Sequence, residues 1–320
     1  MNNNLDQVNS TSQYYKQNTN GIMNNYCYFS LCGEKKIDIL QNLATNDIKA
    51  IKSGNIMYSL FCNQKGNIIA DTAIFKHKEL TIIRSHKSTF PILTSHIKKY
   101  SRFENIQIKN HNADFITFGY IKHNDNNEDT NTNPTIYDEK SLIASSTTQN
   151  LTEYILINHK ESLKILSNTD SSFNIENIWN INLITNGISR INETNSENFN
   201  PLQTQLNTDK YISYNKGCYL GQEIIARLAY KAKVKYRLSS IIIGTNTTSY
   251  DPKLQPRPND KILNEEKNIG TVINNGEKEE QLILLCSIKP ELINNLKHIM
   301  INNQKLEILK IKIHPTSATR

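Results

Sequence analysis

The sequence predicts an α+β chain that ends in a small all-β unit. Three observations carry this. Between Lys35 and Tyr120, strand-like apolar runs alternate with stretches that repeat apolar residues at helical spacing. From Leu238 onward, short apolar runs recur between turn-rich segments with little helical periodicity. The longest apolar runs, such as Ile241-Ile242-Ile243 and Leu282-Ile283-Leu284-Leu285, are of strand length and far too short to span a membrane. At 320 residues, two or three domains are expected, each able to bury its own core.

Asn2 to Asn25 is rich in Asn, Gln, Ser and Tyr, has no arginine, and shows no apolar segment before Met23. Residues 1–25 therefore read as a polar, disordered N-terminus, with order beginning near Tyr26. The segment matches neither a signal peptide nor an Arg-rich transit peptide, so the cytoplasm is the expected compartment. Ile37, Leu40, Leu43 and Ala44 put a helix within Lys35 to Asn46. Asn55 to Cys62 and Asn67 to Phe75 read as strands around a hairpin turn at Gln64-Lys65-Gly66. A strand at Leu80 to Arg84 leads through Ser88, as N-cap, into a helix presenting Leu93, Ile97 and Tyr100. Ile106 to Ile108 and Phe115 to Tyr120 are further strands.

The tract from His123 to Pro134 consists largely of Asn, Asp, Glu and Thr and cannot bury enough apolar surface to order itself, so a mobile surface insertion is expected. Tyr154 to Ile157 then reads as a strand, and Glu161 to Leu166 and Ile175 to Leu183 as helices. Ile241 to Ile243, Ile269 to Ile273, Leu282 to Ile288 and Leu306 to Ile313 are short strands, with the Pro-containing stretch Asp251 to Asp260 among them. They suit a small barrel or sandwich. One helical piece, Glu291 to Leu296, follows Pro290.

The five cysteines, Cys27, Cys32, Cys62, Cys218 and Cys286, are scattered and never form C-x-x-C, which argues against a disulfide framework, a zinc knuckle or a ferredoxin-type cluster. The eight histidines form no His-x-x-x-His pair, and no dedicated metal site is expected. A formal charge of +7 permits an anionic partner without identifying one. No stripe of Lys and Arg interleaved with aromatics is visible, so a dedicated RNA-binding surface is not expected.

The run Lys216-Gly217-Cys218-Tyr219-Leu220-Gly221-Gln222-Glu223 stands apart. Glycines bracket a cysteine beside a lysine, and Ile224, Ile225, Leu228 and Ala229 open a helical pattern at once. A free cysteine is commonly a small buried hydrophobe. A loop feeding a helix N-terminus, with Lys216 adjacent, would instead favour an accessible thiolate at Cys218. Glu223 suits the helix's first turn.

Together with Ala226-Arg227, this run resembles the signature of the YgfZ-type folate-binding proteins. That family includes mitochondrial iron-sulfur assembly homologues and is related to the glycine cleavage T-protein, an aminomethyltransferase. Leu40-Gln41-Asn42-Leu43-Ala44-Thr45-Asn46-Asp47 after Gly33, Lys65-Gly66-Asn67-Ile68, and Trp179 followed by Gly187-Ile188 are similar to further family segments. The match runs from about Tyr26 to the C-terminus.

The resemblance implies a T-protein-like, two-lobed folate-binding α+β region over residues 26–234 and a C-terminal β-barrel over 235–320. It implies tetrahydrofolate as ligand and a folate-binding accessory role in maturation or repair of iron-sulfur enzymes, including tRNA-modifying ones. Iron-sulfur client or assembly proteins, and a weak tRNA contact, are the implied partners. Cys218 would be the essential thiol, aided by Lys216. Tyr26, seven residues before Gly33, falls where relatives carry a folate-contacting Trp, and Trp179 matches a second. Arg227 would meet the folate glutamate tail. Where the T-protein has paired aspartates, Ala70-Asp71 keeps one. The alternative, a tetrahydrofolate-dependent aminomethyl or methyl transferase, rests on Asp71 and is disfavoured by that loss. Gly187-Ile188-Ser189 also lacks the family's proline, and Lys235-Tyr236-Arg237 replaces a more basic run.

Overall fold

The computed structural model describes residues 19–122, 142–158, 175–231, 236–247, 250–293 and 296–315. Its first part holds strands β1 (Thr19–Met23), β2 (Tyr26–Cys32), β3 (Met57–Cys62), β4 (Ile68–His77), β5 (Leu80–His86), β6 (Gln107–Asn110), β7 (Phe115–Ile121), β8 (Leu142–Thr148) and β9 (Leu151–Ile157). Helices α1 (Lys36–Leu43) and α2 (Phe90–Tyr100) are interleaved with them, and α3 (Ile175–Thr185) and α4 (Gln222–Lys231) follow. The remaining strands are β10 (Arg237–Gly244), β11 (Lys261–Asn264), β12 (Lys267–Lys278), β13 (Gln281–Ile288), β14 (His298–Ile301) and β15 (Gln304–Ile313).

These strands form three units. One antiparallel sheet has the order β3-β4-β5-β2-β6, a second β1-β7-β9-β8, and the last six strands close into a barrel, β10-β13-β12-β11-β14-β15. The expected α+β class with a terminal barrel is therefore present. In the five-stranded sheet, β4 is buried along Ile68 to Phe75, because α1 and α2 cover one face with Leu40, Leu43, Leu93 and Ile97. A strand covered on both faces reads as a continuous apolar run. The polar Asp71 within it is conspicuous for that reason.

Helix α3 carries apolar residues on two sides, as befits a helix packed against two units. Ile175, Ile178, Trp179 and Leu183 pack with Met23, Ile121 and Leu151 of the four-stranded sheet. Ile181 and Ile184 pack with Leu238, Ile273, Ile283 and Leu285 of the barrel. Each such fully buried side chain contributes roughly 1.5–3 kcal/mol, enough to make this helix the seam between the sheet and the barrel.

Several local expectations change. Order begins before Tyr26: β1 pairs with β7 from Thr19↔Ile121 to Met23↔Thr117, so a polar segment is held by a strand distant in sequence. Thr89, not Ser88, occupies the cap position of α2, while the Ser88 hydroxyl bonds His86 Nδ1 at 2.8 Å. The helical piece after Pro290 is a 3-10 turn at Pro290–Leu292. The strand at Tyr154 starts earlier, at Leu151, and pairs with β8, which the Ser- and Thr-rich sequence concealed. The His123 to Pro134 tract and the Glu161 to Leu166 helix lie outside the described residues.

Candidate functional site

Where the two sheets and α3 meet, four charged side chains are brought together from distant parts of the chain. Asp71, on β4, accepts a hydrogen bond from Arg190 Nη1 at 2.8 Å on one oxygen and from the Ile191 backbone N–H at 3.0 Å on the other. Arg190 lies in the segment after α3, and the barrel fixes its backbone. Its N–H donates to Asn274 Oδ1 at 3.1 Å, and its carbonyl accepts from Asn274 Nδ2 at 2.9 Å. The chain turns into that segment at Gly187, whose φ is +71°, and a Cβ there would lie 2.3 Å from the His314 ring. Only glycine meets both demands.

Beside this pair, Arg84 on β5 contacts Glu153 on β9 at 2.8 Å and donates to Thr117 Oγ1 at 3.2 Å. The Tyr58 hydroxyl donates to the other Glu153 oxygen. The Arg84 guanidinium lies 4.3 Å from the centroid of the half-buried Tyr26 ring, a cation–π contact. Burial alone would raise the Glu153 pKa, but Arg84, Arg190 and the Tyr58 hydrogen bond outweigh it and hold the carboxyl at about 2. Burial pushes the Tyr26 hydroxyl up, with Arg190 and Arg84 opposing, and pushes Tyr211 up to about 12.

Two cavities border this cluster. One, of about 140 Å³, is lined by Tyr58, Glu153, Trp179, Arg190, Gln205 and Tyr211 among others. The other, of about 330 Å³, includes Tyr26, His86, Glu176, Trp179, Arg190 and Asn274 in its wall. Trp179, Leu183 and Arg190 face both. A small void of about 30 Å³ joins Tyr26, Asp71, Arg84 and Arg190. Tyr26, Asp71 and Trp179, singled out from the sequence, thus converge around Arg190. Burial leaves Trp179 Nε1, Arg190 Nε, Gln205 Nε2 and the acceptor Glu153 Oε2 without a hydrogen bond, Glu153 Oε2 keeping its ion pair with Arg84. Lys210, over the Tyr58 ring at 4.2 Å, adds positive charge to the rim of the smaller cavity.

The motif loop is built differently. Cys218 is exposed and lines neither cavity. Lys216 is buried, and its ammonium donates to the carbonyls of Gln41 at 2.6 Å, Ala44 at 2.7 Å and Asn46 at 3.0 Å, which closes the C-terminal end of α1. Burial draws its pKa down to about 8, against a smaller opposing effect of Asp47. Lys216 is therefore committed to main-chain carbonyls rather than standing as a free cation beside the thiol. Leu220 N–H donates to Asn42 O at 2.9 Å, and Tyr219 is buried with Tyr58, Leu60 and Tyr211. Gly221 has φ +83°, and a Cβ there would lie 2.7 Å from Asn63 O, so this glycine is what lets the loop sit on the β3–β4 turn. Helix α4 starts directly afterwards with Glu223 exposed in its first turn. Ile225 and Ala229 face the protein and Ile224 is exposed. Arg227 is exposed and lines neither cavity.

Sequence reasoning passed over Arg84, Glu153, Arg190, Lys210 and Gln205. For Arg84 and Glu153 a signal existed, a charge directly beside the apolar run of a strand, Ile82-Ile83 and Tyr154 to Ile157. Among the described residues, no group of three or more His, Cys, Asp or Glu side chains is arranged to hold a metal ion. No helix there is long and apolar enough to cross a membrane.

The fold has a counterpart among solved structures. The crystal structure of the glycine cleavage system aminomethyltransferase T from Bartonella henselae matches with a TM-score of 0.59, covering 96% of this chain and 88% of that one at 11% identity. The chain has the fold of the glycine cleavage T-protein. No family model matches the sequence. In sequence it is similar to the tRNA-modifying protein YgfZ of Blochmanniella pennsylvanica, 28% identical over 89% of this chain and 87% of that protein. The YgfZ of Buchnera aphidicola subsp. Schizaphis graminum is 27% identical over 74% and 76%. A mitochondrial iron-sulfur cluster assembly factor homolog of Mycosarcoma maydis is 24% identical over 75% and 60%. The chain is thus related to the YgfZ-type proteins in sequence and to the T-protein in fold.

Proposed function

We propose that this is a folate-binding accessory protein that supports maturation or repair of iron-sulfur enzymes, including tRNA-modifying ones, in the cytoplasm, with Cys218 as a working thiol. The observation that carries the folate half is the convergence of Tyr26, Trp179 and Arg190 on the cavities beside the Asp71 and Glu153 ion pairs. Trp179 and Arg190 stand in the walls of both cavities, an aromatic face beside a cation, which suits a heterocycle that carries acceptors. Apolar Leu151, Leu183 and Leu206 and the rings of Tyr58 and Tyr211 supply flat, non-polar walls for such a ring.

Tetrahydrofolate fits these residues. Trp179 and Arg190 would meet the ring system, while Lys210, rather than Arg227, which lines neither cavity, would draw a tail carboxylate. When bound, tetrahydrofolate would supply one-carbon units carried on N5 of its ring and N10 of its linker. Both Asp71 oxygens already accept hydrogen bonds, from Arg190 and the Ile191 N–H. A carboxylate so engaged is a poor candidate for a free base, which favours an accessory role over an aminomethyl or methyl transferase. The iron-sulfur and tRNA-modification half is supported by the names of the relatives, with client or assembly proteins as partners and any tRNA contact weak.

Trp179 is the sole tryptophan, so its fluorescence reports directly on the cavity. Titration with tetrahydrofolate is expected to quench it with saturation in roughly the micromolar range. In Trp179→Phe, calorimetry is expected to show affinity lower by about tenfold. Neither quenching nor heat in the wild type would end the folate reading. For the thiol, Cys218→Ala is expected to fail to restore iron-sulfur enzyme activity in cells lacking their own homologue. Full restoration would remove Cys218 from the function.

A further inference from the structure

One histidine in the wall of the larger cavity is held in a single protonation state by its neighbours. His86 closes β5, is half-buried, and lines both the larger cavity and the small void beside Asp71 and Arg84. Its Nδ1 accepts the backbone N–H of Ser88 at 3.2 Å and lies 2.8 Å from the Ser88 hydroxyl. That hydroxyl oxygen in turn accepts the Glu193 N–H at 3.1 Å. A proton on Nδ1 would point at the Ser88 N–H, two donors face to face. Nδ1 is therefore an acceptor, the Ser88 hydroxyl donates to it, and in the neutral ring the proton resides on Nε2.

The sequence pattern gives Ser88 to the cap of α2, and the structure gives it this different task. Its oxygen joins the turn after β5 to the segment that carries Arg190, so the imidazole is oriented from two directions. Tyr26 adds a third restraint, its ring meeting that of His86 edge-on at 81° with centroids 6.3 Å apart. Burial draws the His86 pKa down, against Asp71, Glu176 and Glu193 and with Arg190, so the ring is uncharged at neutral pH. Nε2, on the ring edge away from Nδ1, has no hydrogen-bond partner among the described residues. The fully buried atoms that lack a partner include Trp179 Nε1 and Arg190 Nε from this wall but not His86 Nε2, which keeps surface to offer a ligand.

We propose that His86 is a ligand-binding residue of the larger cavity, donating from Nε2 to an acceptor on the ring system of tetrahydrofolate. The inference rests on the folate reading, in which that ring system meets Trp179 and Arg190, both in this wall. A donor whose tautomer and orientation are fixed beforehand loses little freedom when the ligand arrives. It also discriminates against a ligand that places a donor at the same point.

The test takes the full chain with its histidine rings nitrogen-labelled for NMR, the His86 signal being the one missing from His86→Gln. That signal is expected to show the Nε2–H tautomer in the free protein and to shift when tetrahydrofolate is added. An Nδ1–H tautomer overturns the inference, and so does a signal that bound tetrahydrofolate leaves unmoved. Calorimetry supplies the second readout. His86→Leu, which has no donor, is expected to bind tetrahydrofolate about tenfold more weakly than the wild type. His86→Gln, whose side-chain amide restores an N–H donor, is expected to come within about threefold of the wild type. Damage to the packing around Tyr26 would weaken both variants alike. Affinities of the two variants within about twofold of each other therefore overturn the inference while leaving the folate reading intact. If the wild type binds no tetrahydrofolate, the folate reading fails and the inference goes with it.

Discussion

Around Arg190, residues from β4, β5, β9 and the segment after α3 bury two ion pairs side by side, and each carboxylate has side-chain and further hydrogen-bonding partners. In the loop from Lys216 to Glu223 the buried charge is Lys216 alone, and its partners are three carbonyls of the main chain. The first region is assembled from far-apart positions and faces cavities. The second is contiguous in sequence and presents its thiol to solvent. A compact motif is thus not the same thing as a compact chemical cluster. In this loop the lysine, the tyrosine and the second glycine act as fittings that fix a single exposed group.

The largest effect that would break this contrast lies in the buried pair. Glu153→Gln leaves Arg84 buried without its counter-charge, and removal of one partner of such a pair costs about 3–5 kcal/mol. Because the folded-state pKa of Glu153 is depressed to about 2, its contribution is fully present above the ordinary carboxylate value and is lost as pH falls from about 4.5 toward 2. Denaturant melts from pH 7 down to pH 2 are expected to show that acid-sensitive segment in the wild type and its loss in the variant. A variant as stable as the wild type at pH 7 would mean that the ionic cluster is not integral to the inter-sheet junction.

The same contrast explains what was legible in the sequence. Helix α1, the turn at Gln64-Lys65-Gly66 and the four longest barrel strands carry clear apolar periodicity, and they stand where it put them. β1, β8, β11 and β14 are polar or short, and each takes its place from a partner strand. For β1 that partner is almost a hundred residues away, beyond the reach of local pattern. Tyr26, Asp71 and Trp179 were found only through a resemblance, since nothing local distinguishes them from core aromatics or a strand aspartate. Arg84 and Glu153 were readable as charges abutting the apolar runs of β5 and β9. Gln205 was not, because its left-handed backbone has no glycine to announce it.

A smaller effect separates the two possible meanings of Lys216. If the lysine exists to close α1, Lys216→Met strands three carbonyls at the helix end, and a loss of about 1–3 kcal/mol is expected in denaturant melts. If it exists to activate the thiol, its removal must slow the reaction of Cys218 with an electrophile near neutral pH by about tenfold. Alkylation of Cys218 by iodoacetamide at pH 7 separates the two, because it reads the thiolate directly and Cys27, Cys62 and Cys286 are buried. Half-buried Cys32 is removed as a background by its conversion to Ser in both proteins. The geometry predicts destabilisation with an alkylation rate within about twofold of the parent. A tenfold slower rate at unchanged stability would reverse the assignment and join lysine and thiol in one reactive unit. The expected result instead leaves Cys218 to draw any activation from a bound partner, which suits a thiol held out from the surface on a rigid loop.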